Sequence, residues 1–541
     1  MTPETFSLKF NFPAGRLRTF RDFLSKNLLV ILMLGLSLVS ILYYWHFLND
    51  GLALAYNDAR SHLDIGRRVV EGLKPGIAQL GSVWLPLTHL LMVPTIWSDF
   101  MWHTGLAGAL QSMIAFVATG ILIYKYLEKL QVGILGRLVG VLIFSANLNV
   151  LYLQSTAMTE LLLLATMTAG CYYLTLWHDD ANVLNLVKSA FFIMASTLIR
   201  YDGWFLLLIA TGLVFLHSFR KRGYQVAEGS VLLFVTLGAL GILIWLFWNQ
   251  LIFKDWLYFA FGPYSAHTQQ EQLAKAGVLF TQNNWYLSAK IYLYALLYNT
   301  YTFPAILGLI GAVTLWINRR ISSGVRFSTI ALLSPLFFNI LALYLGHSVL
   351  FVQGLSGNTW FNVRYGMMLV PTIAVFTGFL IDKAGSFRLI LVGLTLFVLA
   401  FAFINGDAVT IDDARVGSSQ KNVSQVANWL KTYAANEPGF ILISAASHDA
   451  IIFSSGLPMS RFIHEGTGLY WESATNIPDR WARWIIMRTY DDSDLTWKLV
   501  SRTKGFTRYN KVESYPFADI YELKPEYLNQ LETKPVFTHQ K

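Results

Sequence analysis

The chain has 541 residues, of which 55% are apolar, 15% aromatic and only 13% charged, with a mean hydropathy of +0.47. Soluble domains carry about 25% charged residues, so this composition excludes an ordinary soluble protein and points to a polytopic membrane protein. The formal charge of +9 is scattered in short clusters, which excludes a nucleic-acid partner, and the single cysteine, Cys171, excludes an intrachain disulfide and reads as a small buried hydrophobe.

Lys9, Arg16, Arg18, Arg21 and Lys26 precede the first apolar run, 28–48. A signal peptide begins in the same way. Here, however, the run is long enough to span a bilayer and no small-x-small cleavage site follows, so a retained first span with its N-terminus inside is expected. Further apolar runs lie at 103–124, 135–151, 158–177, 187–200, 203–219, 229–251, 301–317, 328–346, 365–381 and 388–405, about eleven spans in all, of which 187–200 is short enough to be partial or tilted. Basic residues collect in "YKYLEK", "FRKRGY", "NRRISSGVR" and "DKAGSFR", which marks those connections as cytoplasmic. Loops 49–102, 252–300 and 347–364 then face outward, and an odd number of spans places the C-terminus outside too.

Loop 49–102 is too long for a connector. Residues 59–72 have helical spacing, with Leu63, Gly66, Val70 and Leu73 on one side, and "VWLPLTHLLMVPTIWSDF" is apolar but broken by proline. Both are expected to be helices lying in the outer interface, as is "NNWYLSAKIYLYALLY" in loop 252–300. Within "YNDARSHLDIGRR", Asp64 stands four residues from both Arg60 and Arg68, so local pairing explains it. Asp58 has only His62 at that spacing. It is either the cap of the following helix or a carboxylate free to act as a general base. His89, Gln79 and Trp84 could meet a polar ligand or stack on a sugar or isoprenoid, or simply belong to the interfacial belt. The spacings of His62, His89 and His103 fit no zinc motif, and no cofactor or required metal is expected.

Glu160 opens the fourth run on the same outer side. Either Thr156 or Thr159 caps a helix there with Glu160 in its first turn, or the acid has a chemical use. Arg200, beside Asp202, and Arg364 also lie on the outer side, where the positive-inside bias does not explain them. They either snorkel or pair with a nearby acid, or they bind the phosphate of a lipid substrate. From 406 the composition shifts to strand and helix patterns, in "GFILIS", "RWIIMR", "DSDLTWKLVSR" and "ADIYEL". Two units follow: a membrane domain, 1–405, and an extracytoplasmic α/β domain, 406–541. Asn422-Val423-Ser424 matches a glycosylation sequon. The C-terminal "THQK" is no retention signal and points to a prokaryotic plasma membrane.

An acid in a long first outer loop with interfacial helices, a second outer acid, and "RY" opening a late span resemble the GT-C superfamily of membrane glycosyltransferases. More narrowly, the chain looks like its polyprenyl-phosphate-sugar-dependent branch, which includes protein O-mannosyltransferases and aminoarabinose–lipid A transferases. The resemblance implies a GT-C fold of polytopic α-helical type with an outer domain. It makes Asp58 the catalytic base or acceptor-orienting acid and Glu160 the acid near the reacting centre. Arg364 with Tyr365, and more loosely Arg200, would hold the lipid phosphate. His62, Gln79, Trp84 and His89 are the further candidates for substrate contact. The chain departs from oligosaccharyltransferases in lacking a W-W-D-Y-G-type motif and a first-loop D-x-D pair. Ala59 stands where protein O-mannosyltransferases follow the aspartate with a glutamate.

The expected activity is transfer of a hexose or pentose from a polyprenyl-phosphate carrier to a hydroxyl of a lipid, glycan or protein, with inversion. The alternatives are a polymerase or ligase using a lipid-diphosphate-linked glycan, and a transporter or lipid flippase. The scarcity of ionisable groups within the spans counts against the last.

Overall fold

The computed structural model describes residues 14–262, 265–275, 277–416 and 420–535; Lys9 and "THQK" lie outside the described residues. Helices dominate up to residue 416, and every strand falls between Phe440 and Leu523. Among the described residues, seven helical stretches are long and apolar enough to cross a membrane: Asn27–Asn49, Leu106–Lys129, Glu160–Asp180, Asp202–Arg222, Ser323–Tyr344, Val363–Lys383 and Gly385–Val416. Two bent pairs bring the number to nine if each is one span: Tyr224–Gly238 with Leu240–Phe253, bent by 43°, and Trp285–Thr300 with Thr302–Ile317, bent by 108°.

Two of the eleven expected spans form shorter helices, Ile134–Ser145 and Val183–Thr197. A 12-residue helix reaches about 18 Å, well short of a hydrocarbon core about 30 Å thick. The first stops because the Asn147 side chain accepts from the backbone N–H groups of Asn149 and Val150 and starts a new short helix, Leu148–Leu153. The piece expected to lie in the interface at 284–298 falls in Trp285–Thr300, which turns through Tyr301 (φ 61°) into the span Thr302–Ile317.

The long first loop, 49–102, also folds into helices, Asn57–Val70 and Leu87–Ile96. They meet at Gly66, where an added Cβ would touch Met92 and Ile96, and Leu63 is fully buried. Close approach at small residues recurs among the spans, as expected where lipid supplies no hydrophobic drive between helices. Gly311 packs on the Phe376 carbonyl, and Gly366 on the carbonyl of Ala295. Cys171 is free and buried in this packing.

The C-terminal domain carries one five-stranded sheet in the order β2-β1-β3-β5-β4, with β1 Phe440–Ile443, β2 Phe462–Ile463, β3 Ala482–Met487, β4 Tyr509–Ser514 and β5 Asp519–Leu523. β1 runs parallel to β2 and β3, whereas β5 is antiparallel to β3 and β4. β1 is buried along its length, as its unbroken apolar run requires. The edge strands β2 and β4 were not expected from the sequence. β2 has only two residues, and β4 ("YNKVES") is polar and exposed beyond Tyr509. Asn422 of the sequon falls within the helix Gln420–Trp429.

This domain is tied to loop 49–102. Arg68 pairs with Asp449 at 3.3 Å, Met459 N–H donates to Glu71 at 3.0 Å, and the Gln79 amide donates to Gly466 O at 2.7 Å.

Candidate active site

Asp58 lies in the first turn of the helix Asn57–Val70. It does not cap that helix: the N-cap is Tyr56, and no side chain makes a cap hydrogen bond. Its carboxylate instead accepts from the Arg364 guanidinium, Nη2 to Oδ2 at 2.7 Å. Arg364 sits in a 3₁₀ turn, Val363–Leu369, entered through Asn362 in the left-handed conformation (φ 54°). Two residues on, Gly366 allows that turn to lie against the helix Trp285–Thr300, which fixes the base of the arginine. Arg364 Nε then donates to Glu160 Oε1 at 3.0 Å, and Nη1 stands 3.8 Å from Asp413 Oδ2.

Glu160 opens the span Glu160–Asp180 and is shared with a second guanidinium. Arg200 Nη1 is 3.3 Å from Glu160 Oε1 and also 3.3 Å from Thr159 Oγ1, while Arg200 Nε is 3.3 Å from Asp202 Oδ2. Thr159 stands at the N-cap but makes no side-chain cap bond, and Thr156 donates to Leu153 O, so neither threonine caps the helix through its side chain. Tyr365 lies by both cations, its ring centre 4.8 Å from the guanidinium carbon of Arg200 and 5.3 Å from that of Arg364. Tyr56 lies under Arg364 at 4.9 Å and donates its hydroxyl to Asp413 Oδ2 at 3.1 Å.

The result is two guanidinium groups facing four carboxylates. Buried charges survive only in such pairs, because desolvation costs several kcal/mol per ion. Exposure separates the acids: the Asp58 side chain is 42% exposed, against 0% for Glu160, 3% for Asp202 and 1% for Asp413. Only Asp58 can meet a group arriving from water. The network is also incomplete on its inner side, where Glu160 Oε2 and Asp202 Oδ1 are buried without a hydrogen-bond partner among the described residues.

The other candidates lie along the first loop. His62 Nδ1 is 2.9 Å from His89 Nε2, and the His62 ring centre is 4.3 Å from that of Trp84. Burial, with the nearby Arg364 and Arg200 charges, pushes the His62 imidazole down to about 3 and keeps it neutral. His89 is likewise held well below the usual imidazole range by burial. Gln79 is placed apart from the charge cluster, its amide held by Lys74 O and Gly466 O.

The expected local pairing of Asp64 is not what forms. Asp64 accepts from Trp102 Nε1 at 3.1 Å, Arg60 donates to Leu54 O and Ser454, and Arg68 reaches Asp449. Long-range partners win because the helix Asn57–Val70 is buried on the side that carries these residues. Burial, followed by the Asp449 charge, pushes the Asp64 carboxyl well above the usual range.

Sequence reasoning missed Asp413 and Tyr56. Asp413 lies past residue 405, in a segment whose composition reads as soluble, yet Val409–Val416 returns to the bundle, where Thr410 donates to Asn149 Oδ1. The available signal was an acidic pair, Asp412-Asp413, directly after the last apolar run.

No family model matches the sequence, and neither does any curated protein. Solved structures do match. ArnT of Cupriavidus metallidurans bound to undecaprenyl phosphate is 10% identical with a TM-score of 0.54, over 93% of this chain and 99% of that one. The same enzyme in the apo state is 12% identical with a TM-score of 0.52, over 92% and 98%. The apo oligosaccharyltransferase of Archaeoglobus fulgidus is 11% identical with a TM-score of 0.51, over 86% of this chain and 70% of that one. At such identities the likeness is one of fold, and with ArnT it runs through nearly the whole of both chains. The chain has the GT-C fold of membrane glycosyltransferases: a helical membrane bundle with a small C-terminal sheet domain.

Proposed function

We propose that the protein transfers a hexose or pentose from a polyprenyl-phosphate carrier to an acceptor hydroxyl at the outer membrane face, inverting the anomeric carbon. The observation that carries this reading is the single water-exposed acid of the cluster, Asp58, lying 2.7 Å from an otherwise buried guanidinium, Arg364. The fold supports it, since ArnT, which shares that fold, was solved with undecaprenyl phosphate bound.

A donor phosphate competes with the Asp58 carboxylate for Arg364. Once displaced, Asp58 accepts the proton of the acceptor hydroxyl. The acceptor oxygen bonds to the anomeric carbon, the bond from that carbon to the phosphate oxygen breaks, and the electron pair leaves on the phosphate. Arg364 and Arg200 hold the charge released there. Glu160, locked between them, positions both. One base and one leaving group amount to a single displacement, hence inversion. No step is assigned to a metal.

The orientation follows from charge. Spans that begin at the cluster end in basic residues: Asp202–Arg222 in Arg220, Lys221 and Arg222, and Val363–Lys383 in Lys383. By the positive-inside bias we assign that end to the cytoplasm, and the cluster and C-terminal domain to the outside. Lipid, glycan and protein all remain open as acceptors, and His62, Trp84 and His89 line the loop from which an acceptor would come. Asp58→Asn is expected to lower turnover in proteoliposomes at least about 100-fold while donor binding persists. Activity close to wild type in that variant would remove the base. Two adjacent guanidinium groups also suit a lipid-diphosphate donor, and turnover of diphosphate but not monophosphate carriers would move the reading there.

A further inference from the structure

The basic end of the bundle, away from Asp58, holds a cavity of about 470 Å³. That volume lies in the range of small-ligand sites. Its lining includes Lys221 and Arg222, at the end of Asp202–Arg222. Neither cation forms an ion pair among the described residues. Two acids share the lining: Asp179 pairs with Lys129 at 2.5 Å, and Asp180 accepts from the Asn182 backbone N–H and the Asn185 amide.

The lining also carries an apolar strip. Val226, Gly229, Ser230 and Leu233 lie on one face of the helix Tyr224–Gly238, at successive turns. From Val226 to Leu233 this face runs about 10 Å along the axis, away from the cations. Val226 and Leu233 are exposed, 39% and 36%, and so present an open apolar strip. Gly229 leaves open space where a side chain would stand.

We propose that this cavity seats an anionic phospholipid of the surrounding leaflet, with its phosphate headgroup between Lys221 and Arg222 and an acyl chain along the Val226–Leu233 strip. Two cations that form no ion pair, next to an apolar strip, match the charge and polarity of such a lipid, and basic hollows between spans are suited to such headgroups. The assignment rests only on the chain crossing a membrane. It is independent of the sugar-transfer reading, since the helix Asp202–Arg222 separates the two sites by about 30 Å.

The test is native mass spectrometry of the full-length protein in detergent, equilibrated with phosphatidylglycerol or with phosphatidylcholine. Wild type is expected to retain phosphatidylglycerol about ten-fold better, a preference that K221A/R222A removes. Gly229→Leu keeps both cations but fills the strip, and is expected to lower retention as well. A preference unchanged in K221A/R222A overturns the site. An equal loss in R319A/R320A, basic residues outside the cavity, overturns it too, because diffuse surface charge would then suffice. Unaltered retention in Gly229→Leu overturns the acyl-chain placement.

Discussion

At the residue scale, exposure rather than proximity divides the labour among the four acids of the cluster. Glu160 and Asp413 are buried beside cations and act as fixed countercharges, while Asp58 alone combines a cation with access to water. Arg364 answers Asp58 and Glu160 through different nitrogens, Nη2 and Nε, a fork that a single ammonium cannot reproduce. Arg364→Lys is therefore expected to keep the protein folded but weaken donor binding at least about ten-fold, measured by titration with a polyprenyl-phosphate lipid. Unchanged affinity would take the phosphate away from Arg364. Arg364→Ala would leave Glu160 and Asp413 facing each other without the central charge, and breaking a buried pair in this way costs about 3–5 kcal/mol. Loss of folded protein would confound any kinetic result, so the lysine variant is the cleaner probe. Asp413→Asn retains the Tyr56 contact but removes one charge behind Arg364. It is expected to shift KM for the donor more than kcat, and a pure kcat effect would argue for a direct role.

At the element scale, loop 49–102 is a structural floor rather than a flap. Its helix Asn57–Val70 carries Asp58 at one end and, farther along, the Asp64 and Arg68 that meet Asp449 of the C-terminal domain. Because burial holds the Asp64 carboxyl above its unfolded value, the folded state binds the extra proton. This contribution to stability is full below the ordinary carboxylate range and is lost as pH rises from there through the raised folded value. The unfolding temperature is expected to fall more steeply with rising pH in wild type than in Asp64→Asn, whose amide keeps the shape and does not ionise. Parallel pH profiles would show that Asp64 does not titrate in this interface. The sequence carried the helix itself plainly, through its apolar spacing and the glycine at 66. Its partners were hidden, because spacing reports only neighbours a turn away, whereas Arg68 meets a residue 381 positions on.

At the scale of the whole molecule, the membrane class could be read from composition and from the lengths of the apolar runs, since bilayer thickness acts on local sequence, and 187–200 was legible as too short for a full span. The early end of the helix Ile134–Ser145 and the bent pairs were not legible, because they are set by packing and by side chains such as Asn147. The cluster was half legible: Asp58, Glu160, Arg200 and Arg364 stood out as charges at apolar boundaries, while Asp413 was obscured by a composition shift just before it. Its members come from widely separated stretches, Glu160 and Arg364 being 204 residues apart. That separation sets an order on biosynthesis. At about 5–20 residues per second, the ribosome delivers the glutamate about 2–8 s before Arg200, its first guanidinium partner, and some 10–40 s before Arg364, its second. For most of that interval Glu160 has one cation beside it, and the cluster is completed only when the later spans arrive.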